Sequence, residues 1–61
     1  MPVVNIKIME GRSVEQKRAL AKKVTEALVE SIGARPEAVT ISIEDIKREN
    51  MASGGVLYTD K

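Results

Sequence analysis

Two residues near the amino terminus have types and a spacing that could do chemistry: Pro2, directly after Met1, and Arg12, ten positions further on. Methionine is normally removed when the next residue is small, and removal would turn Pro2 from an internal imide into a free secondary amine. Such α-amino groups titrate at about 7.7 to 8.0, lower still when buried or beside a cation. A substantially neutral amine at pH 7 is a general base that needs no histidine. A plainer reading also stands, since proline lacks a ladder N–H and strands accept it as their first residue. Arg12 lies just ahead of a helix start, where the dipole, the free N–H groups and the guanidinium would together favour a carboxylate or phosphate. Its plainer reading is an exposed loop arginine.

Composition removes many alternatives. The chain has no cysteine and no histidine, so thiol and imidazole nucleophiles, disulfides and the ordinary zinc site are all excluded. Gly54-Gly55 lacks the strand-before, helix-after context of a dinucleotide fingerprint. Ten basic and nine acidic side chains are interspersed for a net charge of +1, which indicates neither nucleic acid nor a membrane surface as partner. Apolar runs are only a few residues long, so neither a signal peptide nor a membrane span is expected and the default address is cytoplasmic.

The elements that must position Pro2 and Arg12 follow from periodicity. Val4, Ile6 and Ile8 alternate with Asn5 and Lys7, predicting a strand from Val3 to Met9 that Glu10 and Gly11 break. Ser13-Val14-Glu15-Gln16 has the form of a capping box. Leu20, Val24, Ala27, Leu28 and Ile32 then form one apolar stripe, with Lys17, Arg18, Lys22, Lys23, Glu26 and Glu30 mostly on the remaining surface. Gly33 can take the left-handed conformation that ends a helix, and Pro36 prevents its resumption. Val39, Ile41 and Ile43 alternate with Thr40, Ser42 and Glu44 as a second strand. Lys47 to Asn50 reads as a polar loop, Ser53-Gly54-Gly55 as a turn, and Val56 to Tyr58 as a short strand or hairpin arm. The expected fold is α/β (α+β): one domain, residues 1–61, with a right-handed β-α-β unit, parallel strands and a short C-terminal hairpin.

Size makes such a domain dependent on company. A 6.7 kDa chain exposes about 9,700 Å² unfolded and about 3,900 Å² folded, and the gain from burying the difference only just offsets the cost of ordering the chain. Tyr58 is the sole aromatic residue, so the core is aliphatic. With disulfides and zinc excluded, self-association is the expected source of further burial.

The combination of Pro2, a short strand, Glu10-Gly11-Arg12-Ser13 and Glu15-Gln16-Lys17 resembles the 4-oxalocrotonate tautomerase family. The resemblance covers nearly the whole chain, including its length, β-α-β order and the Gly54-Gly55 pair. It implies a tautomerase-like fold assembled into a homohexamer, a trimer of dimers with sheets joined across subunits and helices on one side. It also implies a cofactor-free, metal-free enzyme in which the Pro2 amine, after loss of Met1, shuttles a proton between an enol oxygen and a distant carbon of an unsaturated 2-oxo acid. Arg12 would bind a carboxylate of that small-molecule substrate. Members acting on 2-hydroxymuconate carry a second arginine early in the second strand, where this chain has Thr40, and an aromatic residue in the following loop, where it has Met51. Arg35 is the nearby cation that could stand in, and Met9, Ile46 and Met51 are candidates for an apolar pocket wall. A monocarboxylate enol of phenylenolpyruvate type therefore joins the 2-hydroxymuconate type as an expected substrate. The alternatives are a haloacrylate dehalogenase or hydratase, with Glu49 as the available carboxylate, and a non-catalytic or hetero-oligomeric subunit.

Overall fold

The computed structural model describes residues 1–61. Strand β1 spans Val3–Met9, helix α1 Val14–Ile32 and strand β2 Thr40–Ile46; β3, Ala52–Ser53, and β4, Val56–Leu57, form the terminal hairpin. β1 and β2 pair in parallel from Val3 opposite Thr40 to Met9 opposite Ile46. The β-α-β unit and the antiparallel hairpin agree with the sequence expectation. Gly54 and Gly55 both have positive φ, 59° and 81°, as the two-residue hairpin loop requires.

α1 begins and ends as its caps dictate. The Ser13 hydroxyl accepts the Gln16 N–H at 3.1 Å, and the Gln16 amide oxygen accepts the Ser13 N–H at 2.9 Å. At the far end the Gly33 N–H donates to the Val29 carbonyl and the Ala34 N–H to that of Leu28.

Two short 3₁₀ turns were not expected. Pro36–Ala38 takes Val39 out of the second strand, which starts at Thr40, and Arg48–Asn50 gives turn structure to the polar loop. Proline at the first position of such a turn sacrifices no hydrogen bond. Tyr58 likewise leaves the hairpin arm to begin a third 3₁₀ turn, Tyr58–Asp60.

α1 covers one face of the sheet. Val4, Ile6, Ile8, Ile41 and Ile43 are half-buried beneath it, and Lys17, Leu20, Ala21, Val24, Thr25, Leu28 and Val29 are its own half-buried positions. The expected stripe is thus shifted: Ala27 is exposed, and so is Ile32, at 66%. A 19-residue helix is about 28 Å long, whereas a seven-residue strand reaches about 23 Å. The last turn therefore overhangs the sheet. On the opposite sheet face Val3, Asn5, Lys7, Thr40, Ser42 and Glu44 are all exposed.

No residue of the isolated chain is fully buried. It exposes 4783 Å², some 900 Å² more than a compact monomer of this mass would. Its radius of gyration, 14.7 Å, exceeds the roughly 10.5 Å expected of a compact domain of this length. The chain is a two-layer fragment with one sheet face and a hairpin left open.

Candidate active site

Parallel pairing decides which candidate residues share a neighbourhood. Pro2 is half-buried at the start of β1, and its carbonyl accepts the Thr40 N–H at 3.0 Å. The ladder thereby extends one residue beyond the Val3–Thr40 pair and holds Pro2 through its carbonyl alone. Its nitrogen has no hydrogen-bonding duty in the sheet. Met1, outside the ladder, is 95% exposed.

Thr40 stands beside Pro2 with a neutral hydroxyl. Arg35 precedes the 3₁₀ turn leading into Thr40, and its guanidinium is held by Glu37, with Nε and Nη2 at 3.0 and 2.9 Å from the Oε1 carboxylate oxygen. Both side chains are largely exposed, so an incoming anion would displace this pair at a cost of about 1 kcal/mol or less.

Arg12 lies at the opposite end of β1. The Glu10 N–H donates to the Ile46 carbonyl at 3.0 Å, closing the parallel ladder at that end. Gly11 then turns the chain into the helix cap with a φ of 113°, a conformation that a side chain would strain. Strand end and capping box thus fix Arg12 from both sides. With Ile8, Gln16, Lys17 and Leu20 it lines a cavity of about 300 Å³.

Met51 follows β2 and its 3₁₀ turn, so it too belongs to the Arg12 end of the protomer; its carbonyl accepts the Tyr58 N–H at 2.8 Å, which ties it to the hairpin. Met9 and Ile46 are register partners at the same end, both half-buried. Glu49 lines a separate open groove with Glu10, Lys47, Arg48 and Thr59. One protomer therefore places Pro2 at one end of the sheet with Thr40 and Arg35, and Arg12 at the other end with Met51 and with Met9 and Ile46, which lie on the sheet face opposite the Arg12 cavity. The length of β1, about 23 Å, separates the groups. No small molecule can touch Pro2 and Arg12 of the same copy at once.

Sequence reasoning missed one feature, an ion pair between Lys17 Nζ and Asp45 Oδ2 at 2.8 Å, which joins α1 to β2 beside the Arg12 cavity. The signal was present as charged residues in apolar register. Asp45 continues the parity of Ile41 and Ile43, and Lys17 precedes Leu20 by three positions.

The model of the tautomerase enzyme family matches residues 2–61, starting on Pro2 itself. The chain belongs to the tautomerase family. It is 43% identical over 60 residues to the 2-hydroxymuconate tautomerase of Bacillus subtilis, covering 98% of this chain and 97% of that one. The crystal structure of a homologue of 4-oxalocrotonate tautomerase superposes with a TM-score of 0.94 at 42% identity, covering 98% of each chain. A heterohexameric 4-oxalocrotonate tautomerase from Chloroflexus aurantiacus superposes with a TM-score of 0.90 at 27% identity, covering 98% of this chain and 97% of that one. The protein is accordingly a tautomerase, an enzyme of the isomerase class.

Proposed function

We propose that this tautomerase works without a cofactor, interconverting the enol and keto forms of an unsaturated 2-oxo acid of 2-hydroxymuconate or phenylenolpyruvate type, with the Pro2 amine as base after Met1 is removed. The supporting observation is the bond from the Thr40 N–H to the Pro2 carbonyl. It anchors the residue while leaving its nitrogen, freed of Met1, at the open end of the sheet. The neutral amine takes the proton of the enol hydroxyl, electron density moves along the conjugated chain, and the ammonium returns the proton to a distant carbon. Atoms and charge balance, and no metal or redox partner is called for. Arg12 draws a substrate carboxylate to itself, and Met51, Met9 and Ile46 supply an apolar wall.

Because Pro2 and Arg12 of one copy lie a strand length apart, the working site in this reading forms between copies, in a homohexamer arranged as a trimer of dimers in the cytoplasm. The exposed surface of the single chain supports that assembly. Thr40 supplies no second cation, which favours a monocarboxylate enol unless Arg35 leaves Glu37. A second reading, supported by Thr40 and by the heterohexameric Chloroflexus relative, is a mixed oligomer whose partner chain brings the missing charge. The decisive experiment is ketonisation of a 2-hydroxydienoate by wild type, by Pro2→Ala and by protein in which Met1 is retained. Loss of activity in both altered proteins, with assembly unchanged, supports the amine base; full activity with Met1 in place overturns it.

A further inference from the structure

Arg12 takes part in neither of the chain's ion pairs and in none of its side-chain hydrogen bonds. A carboxylate nevertheless borders its cavity. Asp45 is the register partner of Ile8, which lines that cavity, and lies on the sheet face that α1 covers. The same cavity is lined by Lys17, whose Nζ is 2.8 Å from Asp45 Oδ2; the two side chains are 28% and 45% exposed. Glu10, the acidic residue of the Arg12 loop, lines the separate groove with Lys47 and Arg48. Asp45 is therefore a carboxylate at the edge of this cavity, on the same sheet face, and it is already engaged by Lys17.

We propose that Lys17 is a positioning residue for Arg12: by holding Asp45 it prevents an internal Arg12–Asp45 pair and leaves the guanidinium free for the substrate carboxylate. The proposal rests on the reading of Arg12 as anion anchor. Arginine would be the stronger partner for Asp45, because its planar fork can meet a carboxylate through two hydrogen bonds where an ammonium acts as a point charge. Lys17 prevails through position: it sits on the first turn and a half of α1, over the end of β2, where its ammonium already meets Asp45.

The test is steady-state ketonisation of 2-hydroxymuconate by variants whose assembly and circular dichroism match wild type. Lys17→Met should raise KM roughly two- to fivefold, the strength of a partly exposed competing pair, with kcat little changed. Lys17→Arg should retain the wild-type KM because it still occupies Asp45. Asp45→Asn should give a KM at or below wild type, and Lys17→Met combined with Asp45→Asn should return KM to the wild-type value. If Asp45→Asn is as harmful as Lys17→Met, the pair is only a staple between helix and sheet and the proposal fails. If the double variant stays as poor as Lys17→Met, Lys17 contacts the anion directly and the proposal also fails. Should Lys17→Met not assemble, a KM for Asp45→Asn well above wild type overturns the idea by itself. An unchanged KM in Arg12→Ala would remove the anchor reading, and with it the proposal, whereas a raised KM in Arg12→Ala beside a silent Lys17→Met removes the proposal alone.

Discussion

At the residue scale the proposed chemistry depends on the Pro2 nitrogen, once Met1 is removed, and on an Arg12 guanidinium that takes part in no ion pair of its own protomer. Pro2→Ala removes the cyclic secondary amine, and the expected loss in kcat/KM is about 10²- to 10⁴-fold, the usual contribution of a positioned acid or base. Activity should fall as pH drops through the pKa of the amine, since the protonated form cannot accept the enol proton; a pH–rate profile shows this as an ascending limb. Arg12→Ala should raise KM by about tenfold to a hundredfold, matching one charge-assisted hydrogen bond of roughly 1.5 to 3 kcal/mol. Thr40→Arg should improve turnover of a dicarboxylate enol relative to a monocarboxylate, measurable as a shift in the ratio of their kcat/KM values. Pro2, Arg12 and Thr40 were all legible in the sequence as candidates. Their grouping was not, because which end of a strand meets which depends on pairing direction and on copies outside the chain.

At the element scale the caps and turns read directly from sequence, since they are local. Ser13 and Gln16 satisfy each other across three residues, and the hairpin follows from Gly54-Gly55. Loss of the Ser13 hydroxyl in Ser13→Ala should cost about 1 kcal/mol, seen as a lower Tm at fixed protein concentration, and should loosen the loop that carries Arg12. Less legible were features set by tertiary fit. Ala27 and Ile32 share helical spacing with Leu20 and Leu28, yet the half-buried face runs through Lys17, Leu20, Ala21, Val24, Thr25, Leu28 and Val29, which leaves Ala27 to one side of it and Ile32, on the last turn, outside it. Lys17 falls among the surface charges of the helix pattern, yet α1 and β2 bring it against Asp45.

At the scale of the whole molecule, a chain with no fully buried residue is hard to reconcile with a stable life alone. Sedimentation should give a multiple of the 6.7 kDa chain mass, roughly 40 kDa if six copies associate, and dilution should lower ellipticity and activity together because folding and association are linked by mass action. The expectation of partners follows from length and the absence of cysteine and histidine, but not their arrangement, since an open sheet face does not name what covers it. The arrangement at the amino terminus also bears on the order of events. Met1 is 95% exposed beyond a Pro2 that Thr40 already holds, so the peptide bond whose cleavage would create the proposed amine is open to an aminopeptidase in the folded protomer, and trimming does not have to precede folding.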